Sequence, residues 1–330
     1  ALWGGLTPRN LDQLASLRDA GAIGFKAFMA ESGIPSFPRV DAAVLREGMK
    51  RAARLGLPVA VHAEDETLAA RFTAAQKAAG KRDAAAWLAS RPVEVELEAV
   101  RVATEIAGET GCALHIVHVS SPEGVALVEA ARDLRVDVTA ETCPHYLLLN
   151  DRDVARIGAP AKCAPPIRDE KRRKALWREL RAGRIHTVGS DHSPAPAELK
   201  TGDDFFAFWG GIGGVQHGAA LLLSECAATK EQDLPRLAAV LAWNVARRFR
   251  LGSRKGRLAE GADADFCVVE FGRPWTIAAE DLWTRHQISA YVGRKSRARV
   301  TDTYVRGHAV YAAGRLVNLP PPGRFLRPER

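Results

Sequence analysis

The stretch from residue 21 to residue 33, GAIGFKAFMAESG, decides how this chain begins to fold. Between its flanking glycines it is a short apolar run, which is typical of a strand buried on both faces of a parallel sheet. Lys26 lies in the middle of the run. A fully buried lysine is rare unless a neighbouring group compensates its charge. The stretch therefore predicts a buried strand and a chemical reason for a lysine within it.

Further apolar runs alternate with amphipathic segments along the chain. The runs cover 57–64, 112–120, 136–149 and 185–194, and the segments cover 41–56, 92–111, 121–133 and 168–183. Repeated strand–helix units predict a parallel α/β fold, and their number favours a TIM-type (β/α)8 barrel. The first ten residues, ALWGGLTPRN, have the pattern of the end of a strand. We therefore expect an N-terminally incomplete barrel that lacks its first strands.

The pattern of apolar and turn-forming residues changes after Arg250. Segments 255–270 and 299–317 alternate short apolar runs with glycine-containing turns, which indicates short strands. The tail 318–330 is rich in proline and is expected to be extended on the surface or disordered. We predict a barrel domain over 1–250 and, over 251–330, the C-terminal portion of a small β-sandwich domain with a surface extension and tail.

The composition argues against some kinds of binding partner for this protein. The net charge of +8 is spread along the chain, and the densest basic cluster, 168–180, is interleaved with acids. That pattern favours a solvated helix face and argues against nucleic acid as a partner. No apolar run approaches the roughly 18 residues of a membrane span. Five cysteines without a CxxC spacing favour reduced thiols in a cytoplasmic protein.

Four polar residues share one position relative to the predicted strands. Lys26, His62, His118 and Asp191 each lie at the C-terminal end of a predicted strand. In a barrel, the carboxyl ends of the strands meet at one mouth, so two imidazoles and a carboxylate there form a plausible metal-ligand set. Taken singly, each histidine could be a hydrogen-bonded core residue and the aspartate a helix cap.

A metal site at these strand ends would also explain why a lysine, Lys26, is buried there. Burial penalises an ammonium ion and can lower its pKa to roughly 5–6. The neutral amine can react with CO2 to give a carbamate, an anion whose two oxygens can bridge two divalent cations. Coordination would then compensate the burial of Lys26.

Eight motifs occur along almost the whole chain in one order. They are GFKAFMAESGI (24–34), VAVHAED (59–65), LHIVHVSSPEG (114–124), ETCPHYLLLND (141–151), AKCAPPIRD (161–169), VGSDHSPAP (188–196), DFFAFWGGIGGVQ (204–216) and RKGRLAEGADADF (254–266). As a set they resemble the amidohydrolase superfamily, in its cyclic-amidase branch of allantoinases, dihydroorotases and hydantoinases, and are most similar to the allantoinases. Hydantoinases typically have a tyrosine soon after the lysine segment, and this sequence has none there.

The resemblance implies roles for these residues. Lys26 would be a carboxylated ligand that bridges two divalent metal ions, zinc being favoured and cobalt, manganese or iron remaining open. His62 and His118 would bind the second metal, and Asp191 would bind the first metal and act as general base and acid. A hydroxide bridging the metals would open a cyclic amide, converting allantoin to allantoate in purine catabolism. The family also uses an H-x-H pair on its first barrel strand. Because this sequence contains no such pair, we predict impaired activity for the chain as it stands.

The resemblance also indicates substrate contacts. Its candidates are Ser193, Cys163, Ala164, Gly211 and His145, although a rigid surface loop around residue 163 and a structural role for His145 stay open. Cys143 and Cys163 are expected to be packed thiols, because no step of the reaction needs a nucleophilic cysteine. Glu64 and Asp65 are interpreted either as partners that orient imidazoles or as helix N-caps.

The sequence leaves three further functions open. They are a dihydroorotase, a hydantoinase or dihydropyrimidinase, and a non-catalytic homologue that keeps the barrel. The family resemblance also suggests a homotetramer or homodimer.

Overall fold

The structure is a computed structural model that describes residues 1–229, 233–317, 320 and 323–329. Six parallel strands form one sheet in which each strand pairs with the next one along the chain. They are β1 (Leu2–Gly5), β2 (Ala22–Phe28), β3 (Val59–His62), β4 (Leu114–Ile116), β5 (Val138–Thr142) and β6 (Thr187–Val188). Sequential parallel pairing with helical crossovers is the arrangement of a (β/α)8 barrel. The predicted fold class is confirmed as an open, barrel-type sheet of six strands.

Helices connect and follow these strands. The α-helices are α1 (Leu14–Ala20), α2 (Ala42–Arg54), α3 (Glu66–Ala78), α4 (Ala84–Ser90), α5 (Val93–Thr110), α6 (Pro122–Asp133), α7 (Pro144–Leu148), α8 (Asp151–Ile157), α9 (Glu170–Arg181), α10 (Gly218–Thr229), α11 (Leu234–Ala238) and α12 (Asn244–Arg248). A π-helical turn, Ala239–Trp243, joins the last two.

Side-chain caps begin three of the predicted helices. Asp41, Ser121 and Asp169 each accept a hydrogen bond from the backbone N–H three residues later, at 2.8, 3.1 and 2.9 Å. Such caps satisfy a backbone donor that the helix leaves free and are each worth about 1 kcal/mol. They fix the residue at which each of these helices begins.

One predicted strand is wrong in its second half. The apolar run 136–149 was expected to be a single strand, but β5 ends at Thr142 and α7 begins at Pro144. Proline has no backbone N–H and its fixed φ suits the first turn of a helix, so Pro144 ends the sheet and starts the helix. His145 consequently lies in the first turn of α7 instead of ending a strand.

Alternate residues of β2 have different surroundings. Phe25 and Ala27 are fully buried in the core, together with Leu45 and Met49 of α2. Lys26, on the opposite face of the strand, is half-buried as a residue, but protein atoms surround its amine. This alternation follows from the two-residue period of a strand and places the lysine on the inner face of the sheet.

The C-terminal region contains a second, antiparallel sheet in the order β10-β9-β8-β7. Its strands are β7 (Phe266–Thr276), β8 (Lys295–Val305), β9 (His308–Ala312) and β10 (Arg315–Leu316). The turn at Arg306 and Gly307 has positive φ at both residues, 49° and 79°. This pattern matches a tight hairpin. Strands do follow residue 250 as expected, but β7 and β8 have 11 residues each and are longer than the short strands that the sequence predicted. The domain boundary at that residue stays a prediction.

Part of the predicted tail lies outside the described residues, namely 318–319, 321–322 and 330. Where it is described, the tail contacts the body of the protein: an Nη1 atom of Arg327 donates to the carbonyl of Asp19 at 2.8 Å. Within the described ranges, no helix is both long enough and apolar enough to cross a membrane.

Candidate active site

The strand ends bring the predicted site residues to one edge of the parallel sheet. Phe28 of β2 is in register with His62, the last residue of β3. His118 lies two residues after β4, and Asp191 lies three residues after β6. Both adopt a left-handed backbone, with φ of 43° in each case. This conformation is unfavourable for residues other than glycine by about 1–3 kcal/mol, and such strain concentrates at functional sites.

Two imidazoles meet directly at this edge. Nδ1 of His62 lies 3.1 Å from Nε2 of His118, and both side chains are buried. Nδ1 of His118 has no partner in the described protein. Burial lowers the pKa of both histidines, so both are neutral at physiological pH and each retains a nitrogen lone pair.

A buried carboxylate orients the first imidazole. Oε2 of Glu64 lies 2.9 Å from Nε2 of His62 and accepts a hydrogen bond from Arg91 Nη1 at 3.0 Å. Burial alone would raise the pKa of Glu64, but Arg91 and His62 hold it at about 2. An ionised Glu64 keeps the proton of His62 on Nε2 and leaves the lone pair of Nδ1 directed at His118. Asp65, in contrast, caps α3 by accepting from Leu68 N at 2.8 Å. Of the two roles considered for these acids, Glu64 therefore orients an imidazole and Asp65 is a helix N-cap.

Lys26 is held beside these imidazoles without an anionic partner. Its Nζ donates to the carbonyl of Ala27 at 3.1 Å and lies 3.6 Å from the ring centre of Phe28. Among the described residues, no carboxylate comes within ion-pair distance of it. Burial lowers the pKa of Lys26 to about 7, against the opposing charges of Asp191 and Glu141. A substantial fraction of the amine is thus neutral at pH 7.

Asp191 lies close enough to Lys26 and His62 to interact electrostatically with both. Although the residue as a whole is exposed, protein atoms surround its carboxyl group, and this desolvation raises its pKa against the charges of Lys26 and His62. Glu141 of β5 contributes a further negative charge at the same place. The sequence analysis did not identify Glu141 as a site residue. It could have been found in the same way as Lys26, because it is a charged residue inside an apolar run, 136–149.

This donor set fits a divalent cation. Two neutral imidazole nitrogens from neighbouring strand ends face each other, and carboxylate oxygens and a partly neutral amine lie within electrostatic reach. Imidazole and carboxylate are ligands that zinc, cobalt, manganese and iron all accept. A bound cation would take the lone pairs of both nitrogens in place of the single hydrogen bond that now joins them.

The proposed substrate residues form a second cluster beside these strand ends. Ser193 N donates to the carbonyl of Ile212 at 3.0 Å, and its Oγ accepts from Trp209 Nε1 at 3.2 Å. Gly211 packs so tightly against Ser193 that an added Cβ would lie 2.6 Å from the Ser193 carbonyl oxygen. The glycine-rich segment 209–214 is thus bound to the segment that carries Asp191.

Cys163 and Ala164 follow Lys162, whose carbonyl also binds that segment. The Gly211 N–H donates to the carbonyl of Lys162 at 2.9 Å, and the Cys163 carbonyl accepts from Trp87 Nε1 at 3.3 Å. Cys163 is buried, and burial raises the pKa of its thiol to about 12. Burial likewise raises the pKa of the Cys143 thiol. Both shifts fit the expectation of packed thiols.

Two lysines that sequence reasoning did not single out hold the glycine-rich segment. Nζ of Lys162 donates to the carbonyls of Phe206 and Phe208 at 3.1 and 2.5 Å. Nζ of Lys200 donates to the carbonyls of Trp209 and Gly211 at 3.0 and 2.7 Å. Nothing in the sequence pattern marks these lysines, because their acceptors are backbone carbonyls, which every residue has, at separations of 9, 11, 44 and 46 residues.

His145 is fully buried, and neither of its ring nitrogens has a partner in the described protein. Its ring centre lies 4.3 Å from that of Tyr146. Burial lowers the pKa of His145 to about 3, so the ring is neutral. A purely structural role would normally come with a hydrogen bond, and within the described residues the ring makes none.

Comparison with known proteins places this geometry in a family. Residues 14–310 match the model of the Amidohydrolase family. An allantoinase of Deinococcus radiodurans is 50% identical over 328 residues, which are 99% of this chain and 72% of that protein. An allantoinase of Rubrobacter xylanophilus is 49% identical over 334 residues, covering 100% of this chain and 72% of that protein. The chain therefore belongs to the amidohydrolase family.

Solved structures agree with the fold. The L-hydantoinase (dihydropyrimidinase) of Arthrobacter aurescens superposes with a TM-score of 0.93 at 35% identity, covering 96% of this chain and 71% of that one. Membership of the family implies a divalent metal site in a hydrolase. The residues at the strand ends are chemically suited to be that site.

Proposed function

We propose that the strand ends of this chain hold metal ligands and the proton carrier of a metal-dependent hydrolase that opens cyclic ureides, and that allantoin is its substrate. The observation that carries the proposal is the pair His62–His118, whose facing nitrogens lie 3.1 Å apart beside a buried lysine with no anionic partner among the described residues. Relatives named allantoinase, 49–50% identical over essentially the whole chain, support the choice of substrate.

Lys26 is the proposed bridging ligand, as a carbamate. The neutral amine nitrogen bonds to the carbon of CO2 and loses one proton to solvent, which leaves an anion with two oxygens. Its pKa of about 7 makes the neutral amine available at physiological pH. Carboxylation replaces a poorly compensated buried cation by an anion suited to divalent cations, with Zn²⁺ the favoured one.

Asp191 is the proposed proton carrier. When bound, two divalent cations polarise a carbonyl and lower the pKa of a water molecule. The Asp191 carboxylate accepts a proton from the attacking water and then donates it to the ring nitrogen that leaves. Its backbone, with φ of 43°, has the kind of strain that concentrates at functional sites.

The other chain segments position the substrate. Ser193 and Gly211 bring the glycine-rich segment to the strand ends, where its backbone can approach a flat ring closely. Backbone groups of Cys163 and Ala164 are the proposed contacts on the opposite side, together with His145. Because allantoin is uncharged, hydrogen-bonding groups of this kind suffice to orient it.

A second candidate function is hydrolysis of a hydantoin or dihydropyrimidine. The structural similarity to the Arthrobacter aurescens enzyme, at 35% identity and a TM-score of 0.93, favours it over hydrolysis of dihydroorotate. The stretch after Lys26, residues 29–34, contains no tyrosine, which argues for allantoin.

The test compares substrates in one assay. The chain, and a version extended at its N-terminus by a first strand with the family's H-x-H pair, are supplied with Zn²⁺ and bicarbonate and given allantoin, dihydroorotate and hydantoin. We expect the extended version to turn over allantoin faster than the other two, and the chain alone to be impaired. Preference for hydantoin would support the second candidate. A lack of turnover with every substrate and no bound metal would identify a non-catalytic homologue.

We also propose a cytoplasmic homodimer or homotetramer. All five cysteines are free thiols, and four of them are buried, which suits a reducing compartment. Sedimentation equilibrium of the extended version tests the assembly, and a monomer at micromolar concentration would contradict it.

A further inference from the structure

A second donor cluster lies next to the proposed active site and is distinct from the ligand pair His62 and His118. Ligand atoms of Cys143, His145 and Asp191 all lie within 4.8 Å of one another. Cys143 and His145 flank Pro144 at the start of α7, directly after β5, and Asp191 follows the neighbouring strand β6. The cluster is therefore built by two adjacent strand ends.

His145 is the member that points to a ligand. Its side chain has no exposed surface, and both ring nitrogens lack a partner in the described protein. An unpartnered polar group in the interior costs roughly 1–3 kcal/mol, so such groups usually mark an ion or water that the site accepts. Here the nearest groups that complete the set are a thiol and a carboxylate.

The chemistry of the three donors selects the ligand. Sulfur, imidazole nitrogen and one carboxylate oxygen are a set preferred by Zn²⁺ and Cd²⁺, whereas Mg²⁺ and Ca²⁺ prefer oxygen alone. Tetrahedral zinc, with bonds of about 2.0–2.3 Å, needs ligand atoms roughly 3.3–3.8 Å apart. The ligand atoms lie within 4.8 Å of one another, so the cluster meets this requirement when its members move together by about 1 Å or less.

We propose that Cys143, His145 and Asp191 form an additional site for one soft divalent cation, separate from the centre at His62 and His118. Binding releases the thiol proton of Cys143 to solvent and forms a thiolate–metal bond. The site shares Asp191 with the proposed catalytic centre. Its occupation therefore removes the proton carrier, and excess soft metal inhibits the enzyme. This inhibition rests on the proposed function, whereas the binding itself does not.

The test detects the thiolate bond directly. Co²⁺ is added to the metal-free chain carrying Cys267→Ser, which removes the exposed thiol. Imidazoles and carboxylates give no sulfur-to-cobalt charge-transfer band, so a near-ultraviolet band reports cysteine coordination alone. We expect one equivalent of this band, its loss in Cys143→Ser, and at least tenfold weaker binding in His145→Gln. The matched control Cys112→Ser changes a thiol that is equally buried elsewhere and should leave the band intact.

The outcomes separate the two proposals. Absence of the band in the Cys267→Ser chain, or its persistence in Cys143→Ser, would overturn the additional site whatever the enzyme does. Circular dichroism of each variant shows that it is folded, and a folded His145→Gln with unchanged cobalt affinity would also count against the site. A normal band in a protein that does not hydrolyse any cyclic ureide would leave the site standing and refute only the proposed function.

Discussion

Glu64 and His62 are joined by a buried hydrogen bond of 2.9 Å, while Asp65, the next residue, caps a helix instead. The two adjacent acids thus offer a matched test of how the metal ligands are oriented. Glu64→Gln removes the charge that fixes the tautomer of His62, so metal affinity should fall by roughly 10–100-fold. Asp65→Ala should cost about 1 kcal/mol of stability with metal affinity unchanged. Competition titration with a chelator and urea unfolding measure the two effects. Equal metal affinity in Glu64→Gln and the parent would rule out this orienting role.

Lys26 should take up labelled bicarbonate. Because its pKa is about 7, the amine is mostly protonated at pH 6 and mostly neutral at pH 8, so a carbamate signal from ¹³C-bicarbonate should grow over that range. Lys26→Ala should abolish the signal and weaken zinc binding, and added propionate should restore part of the binding. Lys174→Ala, at an exposed lysine of α9, is the control and should retain the signal. A signal that survives in Lys26→Ala would place the carbamate elsewhere.

Two neighbouring glycines differ in the space around them. A Cβ at Gly211 would meet the Ser193 carbonyl at 2.6 Å, whereas a Cβ at Gly210 would meet no atom within 4 Å. Gly211→Ala must therefore push the glycine-rich segment away from Ser193, and we expect a loss of about 1–3 kcal/mol in stability. In the extended version the KM for allantoin should rise as well. Gly210→Ala should leave stability within about 0.5 kcal/mol of the parent. If both variants unfold at the same urea concentration, the close packing of Gly211 on Ser193 is wrong.

The buried lysine at 162 should make stability depend on pH. Burial lowers the pKa of Lys162 to about 7, whereas a lysine in the unfolded chain has a pKa near 10.4. Between these values the folded protein has lost the proton and the unfolded chain retains it. The free energy of unfolding therefore rises with pH over this window, by about 1.4 kcal/mol per unit for this residue.

In Lys162→Met, the free energy of unfolding should rise less steeply between pH 8 and pH 10, by about 1.4 kcal/mol per pH unit. Urea unfolding at several pH values measures this difference. It should also loosen the segment 206–208, whose carbonyls the lysine binds. Lys171→Met, at an exposed lysine of α9, is the control and should keep the parental slope. A Lys162→Met slope equal to that of the parent would show that residue 162 titrates normally.

The sequence predicted those parts of the fold that depend on local patterns. Apolar runs indicated the strands, and the amphipathic segments 41–56, 121–133 and 168–183 indicated helices, because both patterns repeat within a few residues. The caps Asp41, Ser121 and Asp169 act over the same short range. The run 136–149 was misassigned because its apolar pattern continues through Pro144, and periodicity alone does not separate a buried strand from a short buried helix.

The candidate site was predictable to the extent that polar residues interrupt apolar runs. Lys26, His62 and His118 stood out for that reason, and Glu141 could have been found by the same rule. The contacts of Arg91 with Glu64 and of Lys200 with Gly211 could not, because they join segments 27 and 11 residues apart through a buried ion pair and a backbone carbonyl. Neither contact leaves a pattern in a single sequence.

The central claim is that the facing imidazoles of His62 and His118 bind a divalent cation. The most direct measurement is X-ray diffraction at the zinc absorption edge from crystals of the zinc-loaded protein. We predict an anomalous peak within bonding distance of His62 Nδ1 and His118 Nε2, with density for a carbamate on Lys26. A zinc-loaded crystal with no anomalous peak between these two nitrogens would contradict the claim.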